Sequence, residues 1–340
     1  MRLLTVREED LGRAAEALTA GKLVAFPTET VYGLGADVFN PSALARVFEA
    51  KRRPTFDPLI VHIAALGDLE TVADLSALTS EAAEKARLLS LRLWPGPLTL
   101  ILPKRPEVPD LATSGLATVA VRFPDHPVAR RIIELSGTSV AAPSANPFGY
   151  LSPTRAEHVV SQLGDRVDFI VDGGRCGVGV ESTVLDLSSL VPTILRPGGM
   201  PAERIEAEIG PIAVFDRSVA TPKSPGQLPS HYAPRVPLKL YPRGALGGVE
   251  SREGEALLFF DGAARDEFLA NNGGAEAGRA GPRVRVLSEH GDLLEAAANL
   301  FDLLHELDAS GATVIRAERS DSGGLGAAIN DRLYKASRKD

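Results

Sequence analysis

The sequence predicts a mixed α/β protein in two parts. Short apolar runs alternate with helical patterns across about 200 residues, which indicates a sheet with flanking helices. The texture changes near Phe215, where residues 216–237 hold five prolines and little apolar periodicity. A smaller set of apolar runs and helical patterns follows. The expected layout is a first domain over 1–214, a proline-rich linker over 215–236 and a C-terminal domain over 237–340.

Bulk properties narrow the function classes. A chain of 340 residues suits two domains. No run approaches the length of a membrane span, and the N-terminus lacks the apolar core of a signal peptide. Cys176 is the only cysteine, so no internal disulfide is available and the cytoplasm is the expected compartment. A net charge of −7 argues against a protein that coats nucleic acid through bulk charge, though it allows a local basic pocket.

Leu11, Ala14, Ala15 and Leu18 predict a helix over 8–19. Lys22–Phe26 reads as a buried strand that Pro27 ends. Thr28, Glu29, Thr30 and Tyr32 then stand on a loop beyond a strand end, where α/β proteins place ligand groups. Gly33 and Gly35 are expected to let the backbone turn. Pro41 and Ser42 open a second helix that stops at Lys51-Arg52-Arg53-Pro54, since proline disfavours helix in the residue before it. Lys51 and Arg53 there either offset a helix dipole or serve an anion. Leu59–Ile63 is a strand; a histidine such as His62 within one is more often structural than catalytic.

A helix over 79–93 is broken by Trp94-Pro95-Gly96-Pro97, and strands follow at Leu98–Leu102 and Val119–Phe123. Arg122 lies inside that last apolar run, where it needs an anionic partner, from a ligand or from the chain itself. His126–Leu135 is helical. The strand from Ser139 runs into Ala142-Pro143-Ser144-Ala145-Asn146, whose small residues admit a ligand close to the backbone. Ser144 and Asn146 either bind phosphate or sugar oxygens or make an ordinary turn. A helix near Ala156–Leu163 leads to a strand at Phe169–Asp172 and a loop over 173–179. Glu181–Asp186 and Thr193–Gly198 look like a hairpin, with Ser182 and Arg196 near its strand ends. Past the prolines, where His231 and Tyr232 are odd in a mere spacer, strands are expected at Leu238–Tyr241, Ala256–Phe260, Val284–Leu287 and Thr313–Arg316. Helices are expected at Asp292–Leu307 and after Gly326.

Common nucleotide and zinc signatures are absent: there is no P-loop, no G-x-G-x-x-G at a strand–helix junction and no paired Cys/His spacing. Lys51, Arg53, Arg122 and Arg196 supply candidate cations near element ends, and they make a site only if they converge.

Pro27-Thr28-Glu29-Thr30-Val31-Tyr32-Gly33-Leu34, Lys51-x-Arg53-Pro54 with Pro58-Leu59-Ile60-Val61-His62, Ala142-Pro143-Ser144-Ala145-Asn146, Glu181-Ser182-Thr183-Val184 and Leu195-Arg196-Pro197-Gly198 resemble, in that order, the YrdC/Sua5 family. The Lys51-x-Arg53 and Ser144-x-Asn146 pairs are that family's hallmark. Ser230-His231-Tyr232-Ala233-Pro234 and the tail from Gly324 to Leu333 look like its longer, two-domain Sua5 type.

The resemblance implies a twisted, open YrdC-like mixed sheet with a basic concave cavity, joined to a smaller Rossmann-like α/β domain. It implies a nucleotidyltransferase, an L-threonylcarbamoyladenylate synthase activity in which L-threonine, bicarbonate and ATP, with Mg²⁺, give threonylcarbamoyl-AMP and pyrophosphate. The product would pass to the machinery of tRNA t6A37 modification, with room for weak contact to RNA. Thr30, His62, Arg122 and Ser182 would bind threonine. Lys51, Arg53, Ser144, Asn146, Arg196, His231 and Tyr232 would bind ATP, with Lys51 and Arg53 central to turnover. His231 and Tyr232 would let the linker close over the cavity. One departure is Phe56-Asp57, where relatives commonly carry Asn or His; the added carboxylate either repels triphosphate or helps hold Mg²⁺. Two other readings compete. An RNA-binding module with a basic concave surface fits poorly with the acidic balance and the lack of interleaved aromatic and basic runs. A carbamoyl-transfer domain like that of hydrogenase maturation proteins would bring acylphosphatase and zinc-finger segments, which this chain lacks.

Overall fold

A computed structural model describes residues 1–215, 231–250, 252–272 and 283–338. Most of the expected linker therefore lies outside the described residues. The chain divides into two compact units: Met1–Phe148 with Ser152–Gly177 and Glu181–Leu228, and Gly149–Leu151 with Val178–Val180 and Pro229–Asp340.

In chain order the first unit runs β1 (Arg2–Leu4), α1 (Glu8–Thr19), β2 (Val24–Phe26), β3 (Gly33–Asp37), α2 (Pro41–Lys51), β4 (Ile60–His62), α3 (Leu69–Val72), α4 (Ser80–Leu93), β5 (Leu98–Pro103), α5 (Asp110–Thr113), β6 (Thr118–Arg122), α6 (Pro127–Ser136), β7 (Val140–Ala141), α7 (Ala156–Gln162), β8 (Phe169–Val171), β9 (Thr183–Asp186), β10 (Thr193–Arg196), α8 (Ala202–Ile209) and β11 (Ala213–Val214). The described strands form one mixed sheet in the order β1-β8-β2-β3-β7-β4-β6-β5-β9-β10-β11. Parallel pairs such as β4/β6 and β5/β9 alternate with antiparallel ones such as β5/β6 and the β9/β10 hairpin.

Period-two alternation decides what each face of that sheet holds. Val61, Val121, Leu100, Leu185 and Ile194 are register partners and point to one face. They join Leu44, Val47 and Phe48 of α2 and Ala86, Leu89 and Leu93 of α4 in the main core. The opposite face carries a small apolar cluster of Ile60, Ile101, Ala120 and Val184. On that same face the pairing His62↔Arg122↔Thr99↔Val184↔Arg196 runs side by side across β4, β6, β5, β9 and β10. Four polar side chains, with Val184 between Thr99 and Arg196, thus form a row across five neighbouring strands.

Gly33 and Gly35 do not form the expected turn. They lie in β3, antiparallel to β2. Their role is close approach: a Cβ on Gly35 would come within 2.5 Å of the Phe26 ring, and one on Gly33 within 3.2 Å of the Ala142 methyl group.

The second unit comprises β12 (Leu238–Tyr241), β13 (Glu255–Asp261), α9 (Gly262–Asn271), β14 (Arg283–Ser288), α10 (Leu293–Asp308), β15 (Val314–Glu318) and α11 (Gly326–Ala336). Its sheet is parallel throughout, in the order β12-β15-β13-β14, the Rossmann-like arrangement expected. Ala256 to Phe260 are buried without alternation, as a strand covered on both faces requires. Helix α10 buries Ala296, Ala297, Leu300, Phe301, Leu304 and Leu307 on one stripe.

Candidate active site

The predicted residues of the first unit come from the loop after β2, the end of α2, strands β4 and β6, the loop after β7 and the β9/β10 hairpin. The loop after β2 supplies Thr28, Glu29 and Thr30. Thr28 Oγ1 donates to the Val31 carbonyl at 2.7 Å and accepts from the Thr30 and Val31 amides at 3.2 Å each. With its own hydrogen committed, Thr28 takes the hydroxyl hydrogen of Thr30 at 2.8 Å. Thr30 Oγ1 then faces Arg122 as an acceptor, 2.8 Å from Nη1.

Arg122 is held by hydrogen bonds at two of its nitrogens and faces a carboxylate at the third. Its Nε donates to the Gly96 carbonyl at 3.3 Å, and Nη2 lies 2.6 Å from Glu29 Oε1. The Trp94–Pro97 turn aims that carbonyl. Trp94 Nε1 donates to the Leu98 carbonyl at 2.7 Å, and the Gly96 amide donates to the Phe123 carbonyl at 2.8 Å. A Cβ at Gly96 would stand 2.6 Å from the Leu93 carbonyl oxygen, so glycine is required there. Of the two partners foreseen for Arg122, the chain itself provides one, Glu29.

His62 sits beside Arg122 in register and is buried. Burial, and then the nearby Arg122 charge, lower its pKa to about 3, so the ring is neutral. Nδ1 lies 3.2 Å from the Ile60 carbonyl, which can only accept, so Nδ1 carries the hydrogen.

Along the row, Thr99 Oγ1 meets Ser182 Oγ at 2.7 Å. Arg196 grips the same residue: Nη2 donates to the Ser182 carbonyl at 2.8 Å and to its hydroxyl at 3.2 Å. Gly198 allows this approach, since a Cβ there would lie 2.3 Å from the Ser182 carbonyl carbon.

The second cluster stands at the end of α2. Asn40 caps that helix through its side chain, Pro41 starts it and Arg52, in the left-handed region at φ 52°, ends it after Lys51. Lys51 Nζ donates to the carbonyls of Ser144 and Asn146. The Lys51 carbonyl accepts from the Phe148 amide at 2.8 Å, and the Tyr32 carbonyl from the Ala145 amide at 2.8 Å. The Ser144–Asn146 loop is therefore pinned to the end of α2 and to the loop after β2. Burial, reinforced by the Arg53 charge, pushes the Lys51 ammonium well below the ordinary lysine range. Arg53 donates to the carbonyls of Asp57 at 3.0 Å and Pro58 at 2.9 Å and pairs with the Asp57 carboxylate at 2.8 Å. Asp57 is fully buried; burial pushes its carboxyl up, against the opposing pull of Arg53, Lys51 and Arg196. Arg53, Lys51 and Arg196 thus all lie near enough to Asp57 to favour its charged form.

His231 and Tyr232 belong to the second unit, where both are buried. Their ring centroids lie 4.1 Å apart; Tyr232 also packs on Phe301 and beneath the Arg332 guanidinium. Tyr32, placed on the loop with the threonines, turns inward: its hydroxyl donates to the Gly174 carbonyl at 2.8 Å. Sequence reasoning did not assign Thr99, which reads as filler in an apolar run, and it placed Glu29 on the loop of ligand groups without giving it a role. A cleft of about 1070 Å³ lined by His126, Arg130, Thr138 and their neighbours contains none of the predicted residues.

Known proteins are similar to this chain in sequence and fold. A family model described as "Telomere recombination", covering Sua5, YciO and YrdC proteins, matches residues 16–198. A second, described as "Threonylcarbamoyl-AMP synthase, C-terminal domain", matches residues 200–338. The proteins named threonylcarbamoyl-AMP synthase of Pyrococcus abyssi and Bacillus subtilis are each 44% identical to this chain over 98% of its length, spanning 95% and 94% of their own. The crystal structure of P. abyssi Sua5 complexed with L-threonine superposes with a TM-score of 0.85 at 39% identity, covering 99% of this chain and 98% of that one. E. coli YciO matches 58% of the chain, and 96% of its own, with a TM-score of 0.51 at 23% identity, a likeness of fold alone. With both halves matched and whole-chain relatives at this identity, the chain belongs to the YrdC/Sua5 family, in its two-domain Sua5 form.

Proposed function

We propose that this chain is an L-threonylcarbamoyladenylate synthase, a nucleotidyltransferase that condenses L-threonine, bicarbonate and ATP to threonylcarbamoyl-AMP and pyrophosphate. The observation that carries the reading is the 44% identity to synthases along 98% of the chain. The geometry suits the chemistry. Adenylation needs a carbamate aligned on an α-phosphate and charge stabilised as pyrophosphate leaves, which is positioning and electrostatics without a covalent nucleophile. Arg122, Thr30, His62 and Ser182 form the end suited to a small amino acid with carboxylate and hydroxyl. Lys51, Arg53, Ser144, Asn146 and Arg196 form the end suited to phosphates and ribose. The assignment of His231 and Tyr232 to ATP rests on the motif.

Mg²⁺ would enter with the nucleotide. Among the described residues no group of three or more His, Cys, Asp or Glu side chains is placed to hold an ion. The donor set therefore fits an ion held by phosphate oxygens and water, with at most a carboxylate such as Asp57 added. Bound there, it would neutralise charge on the phosphates.

The product would be consumed by a threonylcarbamoyl transfer to tRNA in the cytoplasm. Incubation with ATP, bicarbonate and labelled threonine tests the reading. Pyrophosphate and a labelled adenylate should appear together and only when all three substrates are present; pyrophosphate release indifferent to threonine would refute it.

A further inference from the structure

Glu29 is the only carboxylate of the Pro27–Tyr32 loop and sits against the guanidinium of Arg122. The pair is incomplete. Although Oε1 and Nη2 lie 2.6 Å apart, neither they nor Oε2 makes a hydrogen bond within the described residues. The carboxylate is nearly enclosed, with 12% of its side chain exposed. Such oxygens are costly to leave unsatisfied.

The rest of the guanidinium shows what they suit. Nε is turned to Gly96 and Nη1 to Thr30, so a ligand carboxylate seeking two parallel N–H groups must use Nη2, where Glu29 already stands. Two carboxylates beside one guanidinium repel unless a second cation lies between them. An α-amino acid brings that cation, one carbon from its carboxylate. We propose that Glu29 receives the α-ammonium of the amino acid whose carboxylate Arg122 binds, and accepts the proton its nitrogen must lose. The proposal rests on the synthase reading above.

The step balances without another reactant. An ammonium N–H breaks and its proton passes to Glu29. The freed nitrogen pair forms a C–N bond to the bicarbonate carbon. The second proton lost from nitrogen combines with the departing hydroxide as water, leaving the carbamate. The proton on Glu29 then returns to solvent. The pair also explains why threonine would bind as a zwitterion although burial disfavours isolated charges.

The test compares threonine with 3-hydroxybutyrate, which keeps the carboxylate and hydroxyl but lacks nitrogen, on wild type and Glu29→Gln. Wild type should bind threonine at least about tenfold more tightly than the analogue, because the unanswered Glu29 carboxylate rejects it. Glu29→Gln should weaken threonine, leave the analogue unchanged or tighter, and lower kcat by about a hundredfold or more. Equal weakening of both ligands, or unchanged threonine binding and kcat, overturns the proposal. If Glu29→Gln does not fold, Glu29→Asp keeps the charge but shortens its reach: threonine should weaken while the analogue stays excluded, and a parallel change in both ligands overturns the assignment. A wild type that makes no threonylcarbamoyl-AMP refutes the synthase reading, while the binding comparison still decides the role of Glu29.

Discussion

Arg122 and Arg53 are both buried arginines beside a carboxylate, and they are held in different ways. The Asp57 and Pro58 partners of Arg53 lie within five residues, so one loop builds that arrangement by itself. Arg122 reaches Gly96 and Thr30, 26 and 92 residues away, and meets Glu29 from the same distant loop as Thr30; in both ion pairs the carboxylate oxygens make no hydrogen bond within the described residues. On the proposed reading, a pair closed within its own loop would serve as a fixed cation for phosphate. A pair assembled from a strand and a distant loop is one a ligand can enter. The two ends of the site differ in this, and so should their variants.

The largest effects are expected at the fixed end. Arg53→Ala and Lys51→Ala should each abolish turnover. Neither should be silent for folding. Arg53→Ala leaves Asp57 buried and unpaired, a loss of about 3–5 kcal/mol in denaturant unfolding. Lys51→Ala leaves two carbonyls without their ammonium, at about 1–3 kcal/mol each. Wild-type unfolding midpoints in both variants would contradict the packing described here.

Gly96→Ala should come next. Its Cβ would meet backbone at 2.6 Å, so the turn must shift and carry its carbonyl off Arg122 Nε, costing about 1–3 kcal/mol. The threonine KM should rise more than the ATP KM; the reverse would separate Arg122 from the amino-acid end.

Acid stability reports on His62. Its folded pKa of about 3 lies below the ordinary 6.5, so the unfolded chain takes up a proton that the fold refuses. The stability due to the neutral ring is present above about pH 6.5 and is lost as pH falls toward 3, by at most about 1.4 kcal/mol per pH unit. His62→Gln should flatten that limb, and an unchanged slope would relocate its cause. The smallest effect is expected from Thr99→Val, about 1 kcal/mol for the lost Ser182 contact.

How much of this was legible in the sequence depends on range. The apolar repeat over 8–19 marks α1 to the residue, and the apolar stripe of α10 is equally plain, because helical periodicity is local. Strand β3 was hidden by Gly33 and Gly35, which serve close packing where a turn was expected. The motifs named Ser182 and Arg196, and a lone charge inside an apolar run named Arg122. What joins them is strand register across β4, β6, β5, β9 and β10, set by tertiary pairing between segments far apart in the chain. Thr99 was overlooked for that reason. Asp57 was undecided because its meaning depends on three cations that only the fold brings near.

The division of labour between the two ends is tested most directly by calorimetric titration of threonine, without nucleotide, into wild type, Arg122→Ala and Arg53→Ala. Threonine binding should be lost in Arg122→Ala and kept in folded Arg53→Ala. Equal loss in both, or loss in Arg53→Ala alone, would contradict the account.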